Sequence, residues 1–208
     1  MLELRNITYE VDDNNENKEI LKNVSVTIDD HFVAITGPNG GGKSTLAKMI
    51  AGIIRPTSGQ ILLDGEDITG LNITERARKG ICDILSEVGL CAREYIDREI
   101  NGSLSGGELK RIEIAMITAR GTKLSIFDEP EAGIDLWSFN SLIKVFEKMR
   151  DEINGTILII SHQERILDIA DKIIVIADGQ VRKTGTKAEV LPELLNTAQT
   201  CQTLIDKA

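Results

Sequence analysis

The stretch Gly37-Pro38-Asn39-Gly40-Gly41-Gly42-Lys43-Ser44-Thr45 has the spacing G-x-x-x-x-G-K-[ST], between the apolar run FVAIT and a helical pattern that ends near Ala51-Gly52. Glycines here let backbone N–H groups curl around phosphate oxygens without interference from Cβ atoms, and the N-terminus of the next helix adds partial positive charge. A nucleotide polyphosphate is the ligand such a loop takes. Gly37, Asn39, Gly40, Gly41, Gly42, Lys43, Ser44 and Thr45 are the expected nucleotide-binding residues, with Lys43 reaching the β- and γ-phosphates and the Ser44 hydroxyl binding Mg²⁺.

Two further segments can take part in the same chemistry. Leu124-Ser125-Ile126-Phe127-Asp128-Glu129 is an apolar strand ending in two carboxylates, the place where ligand-binding groups emerge from an open α/β sheet. Strand alternation would point the two acids in different directions. Asp128 can then hold Mg²⁺ through water while Glu129 polarises the water that attacks the γ-phosphate. Leu104-Ser105-Gly106-Gly107-Glu108 leads into a helical pattern from Leu109 to Arg120, and its hydroxyl and glycine N–H groups make a second anion site. One chain does not need two such sites for one nucleotide.

Together these segments resemble the ABC-type ATPases, with Walker A at 37–45, the LSGGE signature at 104–108 and Walker B at 124–129. A D-loop at Glu131–Asp135 and the switch histidine His162, in Ser161-His162-Gln163, complete the resemblance, which covers nearly the whole chain. It implies a P-loop NTPase fold of ABC type: a mostly parallel sheet flanked by helices, a small antiparallel β subdomain and a shortened helical subdomain. It also implies Mg²⁺-dependent ATP hydrolysis in which Glu129 and His162 are catalytic and Ser44 and Asp128 hold the metal. In that family the signature of one subunit closes over ATP held by the Walker motifs of another. A nucleotide-dependent homodimer follows, with Ser105, Gly106, Gly107 and Asp135 joining the nucleotide-binding set.

Finer details resemble the SufC type, the ATPase of iron–sulfur cluster assembly complexes. They are Glu108-Leu109-Lys110-Arg111, Glu131-Ala132-Gly133-Ile134-Asp135 and Gln163-Glu164-Arg165-Ile166-Leu167. That resemblance implies a SufB-like scaffold as partner, with the cluster on the scaffold. The alternatives are the ATP-binding subunit of a membrane ABC transporter and a regulatory ATP-binding protein with little turnover.

The elements that must position these residues are legible from periodicity. Val24, Val26 and Ile28 alternate with polar residues, as do Leu2 with Leu4 and Tyr9 with Val11, which predicts half-exposed antiparallel strands around a polar loop from Asp12 to Lys18. FVAIT, KLSIFD, TILIIS and KIIVIA are short continuous apolar runs separated by helical patterns, the signature of a parallel sheet covered on both faces. Ser138 opens a helix that continues to about Ile153, and Asp178-Gly179 makes a hairpin turn. We read residues 1–208 as a single ABC ATPase domain. Its parts are a β subdomain at roughly 1–36 and 58–70, a shortened helical subdomain at roughly 71–103 and a C-terminal helical tail at roughly 187–208.

Composition narrows the function classes. With 24 Lys+Arg against 33 Asp+Glu the net charge is −9, which repels polyanions, and at 3% aromatic residues there are few platforms for base stacking. Nucleic acid is not an expected partner. Apolar runs fall far short of the roughly 18 residues a membrane helix needs, and the start MLELRNITYE lacks a signal-peptide pattern, so direct membrane insertion is not expected and the cytoplasm is the expected location. Cys82, Cys91 and Cys201 form no C-x-x-C and read as buried small hydrophobes or free thiols.

Two departures from the family pattern stand out. Register places Val11 where most ABC ATPases stack an aromatic on adenine, with Tyr9 two residues earlier. After Walker A the only glutamine before Gln163 is Gln60, too early for a Q-loop, and only residues 82–103 separate Ile81 from the signature. By resemblance the lost glutamine would ligate Mg²⁺, so turnover is expected to be slow.

Overall fold

In a computed structural model of the protein, residues 1–13, 16–84, 122–134 and 136–192 are described. Two sheets form. The antiparallel sheet has the order β2-β1-β4-β5, built from β1 (Leu2–Asp13), β2 (Glu16–Ile28), β4 (Ser58–Leu63) and β5 (Glu66–Asp67). The second has the order β10-β9-β3-β8-β7-β6, from β3 (Phe32–Thr36), β6 (Ile81–Ile84), β7 (Leu124–Asp128), β8 (Thr156–Ile160), β9 (Lys172–Ala177) and β10 (Gln180–Gly185). Every pairing in it is parallel except the β9–β10 hairpin, whose turn is Asp178 and Gly179 with φ of 52° and 76°.

The apolar runs are continuous because both faces of this second sheet are covered. Val33 and Ile35 face one core together with Leu158, Ile160, Ile174 and Ile176, while Phe32, Ala34, Ile157, Ile159 and Ile173 face another. The first core takes in Leu46, Met49 and Ile50 of α1 (Lys43–Ala51) and Leu2, Leu21 and Val24 of the antiparallel sheet. Thus α1 is clamped between two sheets. The second core takes in Phe139, Leu142, Ile143 and Phe146 of α3 (Leu136–Glu152) and Ile166 and Leu167 of α4 (Glu164–Asp168). Phe146 packs edge-on against Phe32 and Phe127, with ring centroids 6.2 and 5.1 Å away.

Arg76, in α2 (Ile73–Arg78), is fully buried although its neighbourhood reads as a polar surface helix. Its guanidinium donates to the Met49 and Ile50 carbonyls at 2.7 and 2.8 Å, and to those of Leu71 and Thr69 at 3.1 Å. The first two are end carbonyls of α1, of which Met49 also accepts from the capping Gly52 N–H at 3.1 Å. Burial, with Arg55 adding to it, pulls the Arg76 pKa down to about 10.

Several expectations change in detail. The loop read from Asp12 to Lys18 is mostly ladder, since Asp12 pairs with Asn17, Asp13 with Glu16 and Val11 with Lys18. Helix α3 begins at Leu136, two residues before Ser138. Phe32–Thr36, inside the range 1–36 assigned to the β subdomain, pairs with β8 and β9 and not with β1 or β2. Of the helical tail, 187–192 is helical and 193–208 lies outside the described residues. The helix at 109–120, and residues 85–103 of the helical subdomain, also lie outside them. Among the described residues no helix is long and apolar enough to cross a membrane.

Candidate functional site

Parallel register brings three chain segments to one edge of the sheet. Ile160 lies opposite both Ile35 of β3 and Asp128 of β7, so the segments that follow (the glycine-rich loop, Glu129 and His162) leave side by side at the C-terminal ends of the strands. Ser161 N continues the pattern, donating to the Ile35 carbonyl at 3.1 Å.

The loop itself is shaped by glycine. At Gly37, with φ of 135°, a Cβ would lie 2.0 Å from the Ile176 carbonyl oxygen; at Gly42, with φ of 99°, it would lie 2.8 Å from Leu21 Cδ2. Neither position accepts a side chain. Gly42 also caps α1 from the left-handed region and no side chain caps that end, so the helix N-terminus stays open to an anion. Lys43 is 5% exposed, and its Nζ donates to the Gly37 and Pro38 carbonyls at 2.8 and 2.9 Å. Burial lowers the Lys43 pKa, while the Glu129 and Asp128 charges oppose that shift.

Ser44 Oγ donates to Asp128 Oδ1 at 3.2 Å. Burial raises the Asp128 pKa, the bond from Ser44 works against that shift, and the neighbouring Glu129 charge adds to it. A hydroxyl and a carboxylate in contact, both hard oxygen donors on rigid elements, are the donor set a small divalent cation such as Mg²⁺ takes.

Glu129 does not follow the alternation expected of it. Strand β7 ends at Asp128, and Glu129 takes the left-handed region with φ of 47° while its N–H donates to the Ile160 carbonyl at 2.9 Å. The turn, and not the pleat, aims its carboxylate. Glu129 Oε1 stands 3.1 Å from His162 Nε2.

One cavity of about 520 Å³ is lined by Asn39, Gly40, Gly41, Gly42, Lys43, Ser44, Thr45, Glu129 and His162, together with Lys18 and Ile20. Gly37 and Asp128 join it through their bonds to Lys43 and Ser44. Ser105, Gly106, Gly107 and Asp135 lie outside the described residues. Val11 and Tyr9, the two residues near the register where the family stacks an aromatic, lie as follows. A register shift between Tyr9 and Glu10 breaks the alternation, so Tyr9 packs on the core, Val11 is exposed and neither lines the cavity. Lys18 and Ile20 were not singled out from the sequence, although the pairing of Lys18 with Val11 is the signal that could have found Lys18.

Comparisons with known proteins agree with this geometry. A profile of the family described as ABC transporter matches residues 21–95. An uncharacterized ABC transporter ATP-binding protein of Methanocaldococcus jannaschii is 38% identical over 215 residues, covering 84% of this chain and 86% of that protein. Among solved structures, the fold is similar to that of CbiO1 from Clostridium perfringens, part of the ABC transporter complex cbiONQ, with a TM-score of 0.76 at 25% identity over 92% of this chain and 90% of that one. A dimeric ATP-binding cassette in a post-hydrolysis state bound to ADP and Pi matches with a TM-score of 0.75 at 23% identity, over 90% of this chain and 99% of that one. The phosphate loop, the strand topology and these matches agree: the chain belongs to the ABC transporter ATP-binding family, P-loop ATPases that bind ATP with Mg²⁺ and hydrolyse it.

Proposed function

We propose that the chain is the ATP-hydrolysing subunit of a membrane transporter and works as a nucleotide-dependent homodimer. The observation that carries the enzymatic part is the single cavity in which the phosphate loop, the Ser44–Asp128 pair and the Glu129–His162 pair converge. Backbone N–H groups of the loop and Lys43 hold the phosphates. Ser44 and Asp128 hold Mg²⁺, which neutralises charge on the β- and γ-phosphate oxygens when bound. Glu129 accepts a proton from the attacking water, and His162 orients both water and γ-phosphate. Ser105, Gly106, Gly107 and Asp135 act across the dimer, on the ATP held by the other copy.

The transporter part rests on relatives whose names describe transporter ATP-binding proteins and on the similarity to CbiO1, a transporter component. A second reading, a SufC-type ATPase acting on a SufB-like scaffold, has in its favour the residues Glu108, Glu131–Asp135 and Gln163–Leu167. Tagged protein recovered from native cells, from detergent-solubilised membranes and from the soluble fraction alike, separates the two. A polytopic membrane protein as stoichiometric partner supports the transporter; a soluble scaffold overturns it in favour of iron–sulfur assembly. Multiple-turnover phosphate release by the recovered complex tests the enzymatic part, and failure to turn over would make the chain a regulatory ATP binder.

A further inference from the structure

We propose that Glu131 is a positioning residue for His162, acting through the hydroxyl of Ser161. The inference rests on the reading of His162 as a hydrolytic group. Ser161 is fully buried, and its Oγ donates to Glu131 Oε1 while accepting from the Gln163 N–H at 3.0 Å. The hydroxyl therefore ties the turn after Walker B to the residues on both sides of His162. Ser161 N is held in addition by the Ile35 carbonyl, so the backbone around His162 is fixed before and after the imidazole. From that backbone the imidazole reaches Glu129 Oε1 at 3.1 Å.

Glu131 is held in turn. Its carbonyl accepts from the Ile134 N–H at 3.1 Å, and its other carboxylate oxygen, Oε2, is buried with no hydrogen-bond partner. Among the described residues, Ser161 is thus the side chain that hydrogen-bonds the carboxylate. A buried carboxylate oxygen without a donor costs folding free energy, so stability alone does not account for an acid at this position. Through Ser161 the same acid fixes a catalytic geometry, which does account for it.

The chain has two histidines, His31 and His162, so histidine-labelled protein gives two imidazole resonances in solution NMR, assigned with His162→Ala. His31 lies at the start of β3, at the opposite edge of the sheet, and serves as the control for folding. In Glu131→Ala the His162 resonance moves while that of His31 stays; in Glu131→Gln, which keeps an oxygen toward Ser161, it returns to the parental position. Ser161→Ala displaces it from the other side of the same bond. Both alanine variants lower kcat about tenfold with KM for ATP changed less than about twofold. A His162 resonance unmoved in both alanine variants overturns the proposal, as does Glu131→Gln displacing it as far as Glu131→Ala. Movement of His31 in both alanine variants also overturns it, because Glu131 and Ser161 would then be folding residues. The resonances are read without turnover, so unchanged hydrolysis in His162→Ala would count against the proposed function and not against the coupling of Glu131 to His162.

Discussion

Glu129 Oε1 and His162 Nε2 face each other at 3.1 Å from the ends of two neighbouring parallel strands, and the contact exists because Glu129 leaves its strand in the left-handed region with φ of 47°. A non-glycine residue in that region costs on the order of 1 kcal/mol, here offset by the bond from Glu129 N to the Ile160 carbonyl at 2.9 Å. The strain turns the carboxylate away from the direction of the pleat and into the cavity. Glu129→Gln keeps the volume and the turn but removes the proton acceptor. ATP binding should survive while turnover falls about 10²- to 10⁴-fold. Single-turnover and steady-state phosphate release measure this, and unchanged turnover would remove Glu129 from the mechanism.

Lys43→Ala tests the loop itself. The ammonium is buried against the Gly37 and Pro38 carbonyls, so alanine takes the Nζ donor from both, with Pro38 keeping only the Gly41 N–H at 3.1 Å, and leaves the phosphates without their point charge. Labelled-ATP binding should fall at least about 100-fold at unchanged secondary structure. Parental affinity in this variant would place the nucleotide elsewhere.

The glycine-rich loop was legible because each glycine answers a local steric demand, and the apolar runs were legible because burial on both faces removes the polar alternation. Where legibility ends, a rule stops applying. Pleat alternation holds only inside a strand, and Glu129 lies one residue past the end of β7. The register shift between Tyr9 and Glu10 concealed Lys18 and Ile20 at the cavity. Arg76 sits in Glu75-Arg76-Ala77-Arg78-Lys79, a run whose charge marks a solvated face, and only the fold shows that its guanidinium reaches the end carbonyls of α1. Glu131 and Ser161 belong to different segments, so their bond cannot be read from either.

Arg76→Leu should be among the most damaging single substitutions. Leucine replaces the buried apolar stem but takes the guanidinium from the carbonyls of Met49, Ile50, Leu71 and Thr69, of which Met49 keeps the Gly52 N–H. Losing a charged donor with several buried acceptors costs on the order of 3 kcal/mol or more. Urea unfolding gives the number, and a loss below about 1 kcal/mol would mean that water replaces the guanidinium. Arg76→Lys should recover little, since an ammonium cannot reach four carbonyls in this fork-shaped arrangement.

Stability should also carry a pH signature from Glu131. Burial raises its pKa above the ordinary 4.5, the bond from Ser161 partly offsetting the shift. The folded state therefore holds the proton more tightly than the unfolded state does. The sign follows from linkage: below 4.5 both states are protonated and the group imposes no penalty, while above the raised folded value the full penalty is present. Glu131→Gln has no such proton to lose. The difference in unfolding free energy between variant and parent should therefore move in the variant's favour as pH rises from about 4 to 7, whatever its value at the acid end. Paired urea melts across that range measure it; a difference independent of pH would show that Glu131 titrates as an exposed acid.

Closure by a second copy follows from how open the reacting end of the cavity is. The side chains of His162 and Glu129 are 43% and 38% exposed, whereas Lys43 at the other end is almost fully buried. A single chain thus grips the phosphates but leaves the site of water attack open to bulk solvent, where a carboxylate and an imidazole are screened and poorly oriented. Among the described residues none covers that end, and the signature at 104–108 has the hydroxyl and glycine N–H groups an anion needs. ATP held between two copies adds its binding free energy to dimerisation, and hydrolysis withdraws it. Sedimentation of the Glu129→Gln protein should therefore give monomer without nucleotide and dimer with Mg-ATP, while Ser105→Arg, which fills the second anion site, should remain monomeric in both conditions. Dimer in the absence of nucleotide would uncouple assembly from ATP. A monomer with saturating Mg-ATP would mean that the shortened stretch between Ile81 and the signature no longer presents Ser105–Gly107 to a partner.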